Sequence, residues 1–198
     1  MSSIVVSGDT SGTCTLQAPA VAGSTVLTLP ATSGTVSTLG TALTSGTAVA
    51  STSGTSIDFT GIPSWAKRIT VMFNGVSTSS SSNLLLQIGN GSVIATGYDS
   101  AASSFNATNV GSTIGFVVTG GNLVTASIVS GSIVLTNFSS NLWVSAGVIA
   151  NTTAPATNGA AHLSGGNKTL SGALDRVRIT TANGTDTFDA GSINIMYE

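Results

Sequence analysis

From residue 55 onward, apolar and polar positions alternate in short runs separated by Gly, Ser and Asn, and this period of two is the pattern of half-buried strands. Thr55-Ser-Ile-Asp-Phe59 predicts a strand. A turn with apolar anchors comes next at Gly61-Ile-Pro-Ser-Trp65, then a second strand at Lys67-Arg-Ile-Thr-Val-Met-Phe73, which Asn74-Gly75 is expected to end. Residues 84–89 and 92–98 flank Asn90-Gly91, a pair suited to the positive φ of a tight hairpin turn. Further strands are predicted at 112–118, 123–129, 132–136, 142–149, 168–170, 174–180 and 192–197, with Asn183-Gly184 turning between the last two. No run keeps the 3.6-residue apolar period of a helix over three turns. The expected fold is all-β: an antiparallel β-sandwich, jelly-roll-like, over residues 51–198. A β-barrel or a β-prism would give the same local alternation.

Residues 1–50 read differently. They contain no aromatic residue, and Asp9 is their one charged side chain. Aromatic rings supply much of most cores, so this segment is expected to hold no core of its own and to form an extended N-terminal arm with short strands. Period-two stretches at 13–17 and 24–29 are the strand candidates, bounded by Pro19, Gly23 and Pro30. Ser-Gly-Thr recurs at 11, 33, 45 and 53, spacings that share no single period and so exclude a solenoid. An uncharged strand-forming arm exposes unpaired edges unless a partner covers them. Leu16, Pro19, Val26, Leu27, Leu29 and Pro30 are the residues expected to dock it, against copies of itself or a neighbouring protein. A flexible Ser/Thr/Gly linker is the plainer reading of the same composition, and an integral part of the main fold is the third.

Composition narrows the partners. The 198 residues include 31 Ser, 30 Thr and 24 Gly but only 12 charged side chains, for a formal charge of -2. So few cations cannot neutralise many phosphates, which argues against a nucleic-acid partner. No stretch approaches the length of apolar residues that spans a bilayer, and residues 1–9 show neither the basic region nor the apolar core of an export signal, so no membrane insertion is expected. The apolar fraction of 41% is high enough for a folded chain. One cysteine, Cys14, and one histidine, His162, exclude an internal disulfide and the common zinc constellations. Sequons at Asn106, Asn137, Asn151, Asn167 and Asn183 are the by-product of Asn in a Ser/Thr-rich chain.

Candidate chemistry is sparse, and no cofactor is implied. Asn183-Gly-Thr-Asp186-Thr-Phe-Asp189 offers oxygen ligands in the manner of a calcium loop, but it lacks the spacing and terminal Glu of an EF-hand and reads as a turn before the last strand. His162 lies in Gly159-Ala-Ala-His-Leu-Ser-Gly-Gly166, whose glycines suggest an exposed loop, and no Gly-x-Ser-x-Gly elbow accompanies it. Nothing brings Asp58 or Asp99 toward Asp175 or Asp189 as a glycosidase pair would require. Arg176 and Arg178 point to one face of a strand and could receive a carboxylate or an acidic sugar; solvent-facing charge is the plainer reading. Trp65, Tyr98 and Trp143 are candidate stacking surfaces for sugar rings, or core and cap residues. Together with the two arginines they make up the candidate glycan contacts.

Two stretches then resemble structural proteins of tailed bacteriophages, of the tail fibre or head fibre type. One is residues 12–36, Gly-Thr-Cys-Thr-Leu-Gln-Ala-Pro-Ala-Val-Ala-Gly-Ser-Thr-Val-Leu-Thr-Leu-Pro-Ala-Thr-Ser-Gly-Thr-Val, which is similar to a low-complexity arm near the beginning of many phage virion proteins. The other is residues 53–77, from Ser-Gly-Thr-Ser-Ile-Asp-Phe to Asn-Gly-Val-Ser, which resembles the opening of their β-rich domain; 175–180 and 187–197 look like its closing strands. The resemblance covers about half of the chain. It implies a virion protein, made in the cytoplasm of a host bacterium, that forms a homotrimer. The arm would anchor to other virion proteins, and the β-domain would face outward and touch host surface glycan. It carries no catalytic motif onto this sequence. A capsid decoration protein without receptor binding is the alternative, and a glycan-active enzyme using Asp58, Asp99 or Asp175 is a third.

Overall fold

In a computed structural model, the structure describes residues 3–7, 10–17, 23, 43–104, 109–121, 123–153 and 159–198. Every regular element among them is a strand. Packing divides the chain into two units, residues 1–37 and 38–198.

The first unit contributes a hairpin of β1 (Ser3–Ser7) and β2 (Thr13–Gln17), antiparallel with Ser3 opposite Gln17 and Ser7 opposite Thr13. Ile4, Val5 and Val6 of β1 are all exposed. An isolated two-stranded hairpin is marginal in water, and this one leaves apolar side chains open on both faces. Of the residues expected to dock the arm, Leu16 lies on β2; Pro19, Val26, Leu27, Leu29 and Pro30 fall outside the described residues, as does the strand expected at 24–29.

The second unit is an antiparallel β-sandwich. Its larger sheet contains β3 (Thr44–Ser45), β4 (Val49–Ala50), β6 (Arg68–Thr78), β9 (Asp99–Ser104), β10 (Val110–Ser112), β12 (Ser127–Ser139), β13 (Leu142–Thr153), β14 (Gly159–Thr169) and β16 (Phe188–Tyr197). Their order is β10-β9-β14-β13-β12-β6-β16-β3, with β4 also on β16. The smaller sheet has the order β11-β7-β15-β5, from β5 (Ser56–Thr60), β7 (Leu84–Asn90), β11 (Phe116–Val117) and β15 (Arg176–Thr181), with β8 (Ser92–Val93) on β7. The antiparallel sandwich is as expected; β12, β13 and β14 are successive hairpins within one sheet, and a jelly-roll order of connections is not confirmed.

Composition places residues 43–50 in the arm, yet they belong to the sandwich. Thr44 and Ser45 pair with Tyr197 and Met196, Val49 and Ala50 with Ile193 and Ser192, and the Gly46 N–H donates to the Ile195 carbonyl at 2.8 Å. They cover the edge of β16, which would otherwise expose a row of unpaired backbone groups. Gly46 allows the close approach, since a Cβ there would sit 3.1 Å from the Ile195 carbonyl oxygen.

Asn74-Gly75 does not end its strand either. β6 runs on to Thr78 through a bulge, because Gly75 adopts φ 65° and the Ser130 hydroxyl accepts its N–H at 3.0 Å. Likewise the strands expected at 123–129 and 132–136 join in one, β12, which begins at Ser127 and passes through Gly131 at φ 140° opposite the bulge of β6. Asn90-Gly91 turns as expected, Asn90 opposite Ser92 with Gly91 at φ 74°.

The core lies where the alternation is strongest. Ile69, Val71, Phe73 and Val76 of β6, Ile133 and Leu135 of β12, and Ile193 and Ile195 of β16 face Leu86 and Ile88 of β7 and Val177 and Ile179 of β15. At about 1.5 to 3 kcal/mol for each fully buried aliphatic or aromatic side chain, this cluster is the main source of stability.

Candidate functional site

The exposed face of the larger sheet is built from residues that strand alternation turns away from the core. Val148 of β13 lies directly opposite Leu163 of β14, and they are 56% and 54% exposed. Val134, Ala146, Ala150, Ala161 and Ala101 surround them on β12, β13, β14 and β9. Residues 100–167 contain no Asp, Glu, Lys or Arg at all, so this face is uncharged between Asp99 at the start of β9 and Arg68 at its other border. The four strands β9, β14, β13 and β12, at about 4.8 Å spacing and about ten residues in length, present roughly 600 Å², approaching the roughly 800 Å² that one partner contributes to a stable interface.

The exposed face of the smaller sheet is polar. Arg178 of β15 lies between Asp58 of β5 and Gln87 of β7, and its Nε and Nη2 donate to the two Asp58 carboxylate oxygens at 2.6 and 2.7 Å. Arg176 makes the same fork with its chain neighbour Asp175, at 2.7 and 3.0 Å. That hydrogen bond is the main reason the Asp175 carboxyl is held below the usual carboxylate range, with the Gly91 N–H adding to it. Beside Arg178 an open groove of about 300 Å³ is lined by Ser56, Gln87, Ile114, Thr180 and Asn183.

The five candidate glycan contacts are thus divided. Arg176 and Arg178 do share a face, as their spacing implies, but each guanidinium fork is filled by a carboxylate of the same chain. Trp65 is 38% exposed and packs at 5.6 Å, tilted by 52°, on Tyr197. Tyr98 and Trp143 are 3% and 4% exposed and belong to the core, so neither has a ring face for a sugar. The Tyr98 hydroxyl accepts from the Ile88 N–H at 2.8 Å and donates to the Ile94 carbonyl at 2.8 Å. Its ring meets Phe116 edge-on at 5.0 Å and lies 5.3 Å beneath the Lys168 ammonium. Burial pushes the Tyr98 hydroxyl up to about 12. For Trp143 the alternation is ambiguous in the sequence, and the structure turns it inward while Leu142 and Val144 are half-buried.

His162 is also a correction. The glycines around it suggest an exposed loop, but it lies within β14, opposite Ile149 and Ser104, and is fully buried. Small residues there let three strands and residues 116–121 approach closely, not loop out. A Cβ at Gly120 would meet Ser103 N at 2.7 Å, and one at Gly166 would meet the Asp99 carbonyl oxygen at 2.5 Å.

Residues 116–121 form the junction between the sheets. One edge pairs with β7, Phe116 opposite Leu86 and Val117 opposite Leu85. Among the described residues no strand pairs with the other edge, and four side chains of β9 and β14 take that place. The Ser100 hydroxyl accepts the Val117 N–H at 3.0 Å while donating to the Gly165 carbonyl. The Ser164 hydroxyl donates to the Val117 carbonyl. The Ser104 hydroxyl donates to the Gly120 carbonyl at 3.1 Å, and His162 Nδ1 accepts the Gly120 N–H at 2.9 Å. Nothing in the sequence pattern marks this seam, because Ser, Gly and Ala carry no periodic apolar signal.

The Asn183–Asp189 loop is closed on itself. Asn183 Oδ1 accepts from the Thr181 hydroxyl and from the N–H groups of Thr185 and Asp186, while Asp186 accepts from Asn183 Nδ2 at 2.6 Å and from the Ser82 N–H at 3.2 Å. These oxygens stabilise a turn. Among the described residues no three His, Cys, Asp or Glu side chains gather as a metal site would need, and no helix is long and apolar enough to cross a membrane. Comparison with protein-family models, curated proteins and solved structures finds no match to this chain.

Proposed function

We propose that this chain is a structural subunit of a bacteriophage virion, a homotrimeric fibre in which the N-terminal unit anchors to other virion proteins and the β-sandwich contacts the host cell surface. The observation that carries this reading is the uncharged apolar face around Val148 and Leu163. A monomer in water gains nothing from such a surface, whereas a copy of the same chain can cover it without leaving any charge unpaired. The exposed apolar side chains of β1 support an anchoring role for the hairpin, since burial against a partner supplies the stability that two strands lack alone. The likeness of residues 12–36 and 53–77 to phage virion proteins supports the setting. Host contact rests on the exposed Trp65, and trimerisation multiplies a weak contact into avidity.

Light scattering on the full chain tests it, with a trimer as the expected result and a monomer as the result that overturns it. A chain beginning at Thr38 separates the two assembly elements. If it remains trimeric, Leu163→Lys should dissociate it; if it is monomeric, the trimer contacts lie in the first unit. A longer cut, to a chain beginning at Ser51, would strip β3 and β4 from β16 and confuse the result.

A further inference from the structure

His162 is the only histidine of the chain and serves no part of the proposed assembly. Its Nδ1 accepts the Gly120 N–H, so the ring is neutral with its proton on Nε2, which is buried without a partner. A second proton would have to go on Nδ1, where it would face the Gly120 N–H donor head on. The one buried carboxylate among the described residues, Asp186, is taken up by Asn183 Nδ2 and the Ser82 N–H, and no carboxylate bonds the ring. Residues 100–167 contain none, which covers β12, β13, residues 109–121 and β14 up to Asn167. On β9 the one acid, Asp99, is exposed at its start, and on β14 the one charge is a cation, Lys168, six residues further along and bound to the Thr96 and Gly97 carbonyls. We propose that His162 is an acid-operated latch: neutral, it holds Gly120 and keeps residues 116–121 closed over β9 and β14, and protonated, it releases them.

Burial lowers the affinity of His162 for a proton below the ordinary histidine value of 6.5. The open form, with the ring in water, binds the proton more tightly than the closed form. Closure is therefore fully favoured above pH 6.5 and weakens as the pH falls below it, by about tenfold in the opening equilibrium per pH unit until the closed-state value is reached. Opening would uncover Phe116, Val117 and Val118, all fully buried when closed. His162 is the chain's one histidine, the side-chain type whose ordinary range falls between pH 7 and 5.

Hydrogen exchange on the full chain at pH 7.5, 6.5 and 5.5 reads the latch through protection factors. The Gly120 and Val117 amides should lose protection from pH 6.5 to 5.5, by up to about fivefold, while those of Val71 and Ile133 hold, and His162→Gln, which keeps an acceptor but cannot titrate, should remove that dependence. Equal pH response in the wild type and His162→Gln, or no loss at Gly120 in the wild type, overturns the proposal. Should His162→Gln not fold, NMR of the wild-type imidazole decides: the proposal requires the Nε2–H tautomer at pH 7.5 and a transition below 6.5 that coincides with the loss at Gly120. A ring titrating at 6.5 or above in the folded protein overturns it.

Discussion

Between β6, β16, β7 and β15 the two sheets meet through Val71, Phe73, Ile88, Ile179 and Ile193, whereas at β9, β14 and residues 116–121 the contact is made by Ser100, Ser104, His162 and Ser164. Both regions are equally hidden from water. The first is held by apolar area, which is additive and indifferent to direction. The second is held by hydrogen bonds to one strand edge, each of which is worth little net but leaves a buried orphan if its partner is removed. A sandwich can thus be closed where its residues are too small to make a hydrophobic core, provided every backbone group along the seam finds a side chain.

The largest expected effect lies in the apolar half. Phe188→Ala, at a ring only 1% exposed, should cost about 3–5 kcal/mol in urea unfolding, because it combines lost transfer energy with a cavity. A loss below 1 kcal/mol would show that the apolar half does not dominate. In the seam, Gly120→Ala should cost about 1–3 kcal/mol, since the atoms its Cβ would meet are backbone atoms of Ala102 and Ser103 that cannot turn aside. Circular dichroism melts of the variant against wild type at pH 7.5 measure it.

Ser100→Ala should cost a similar 1–3 kcal/mol by orphaning the Val117 N–H. Its sharper use is a double-mutant cycle with Ser164→Ala, which acts on the carbonyl of that same residue. Coupling of at least about 0.5 kcal/mol is expected, and strict additivity would mean that the seam is a set of independent bonds. The smallest effect belongs to the exposed face of the smaller sheet. Asp58→Asn should change stability by about 0–1 kcal/mol despite the short bidentate geometry, because both partners of the pair are more than a third exposed and screened; a salt titration of the difference checks this.

Legibility in the sequence divides along the same line. β5, β6, β15 and β16 are readable because Ile, Val and Phe alternate with polar residues along them, and β7 and β13 because apolar strand formers cluster in them. β9, Asp-Ser-Ala-Ala-Ser-Ser, and the first part of β14, Gly-Ala-Ala-His-Leu-Ser, are not, since their residues have no strong preference for the extended state. Those strands exist because neighbours pair with them on both sides. The same blindness hides the role of His162, whose glycine neighbours read as a loop, whereas in the fold Gly120 and Gly166 permit close backbone approach. Of the candidate contacts, the shared face of Arg176 and Arg178 comes from spacing alone. Their neutralisation does not, since Asp58 lies 120 residues from Arg178.

The chain's own pattern determines local features: the all-β class, the tight turn at Asn90-Gly91, the lack of charge across residues 100–167, and the faces to which alternating residues point. Periodicity and backbone preference act over a few residues and are written in neighbouring letters. Strand order, the recruitment of residues 43–50 to β16, the inward turn of Tyr98 and Trp143, and the polar seam around residues 116–121 depend on partners far along the chain. Those features arise only when long-range pairing decides which backbone groups need a partner, and which side chains stand close enough to supply one.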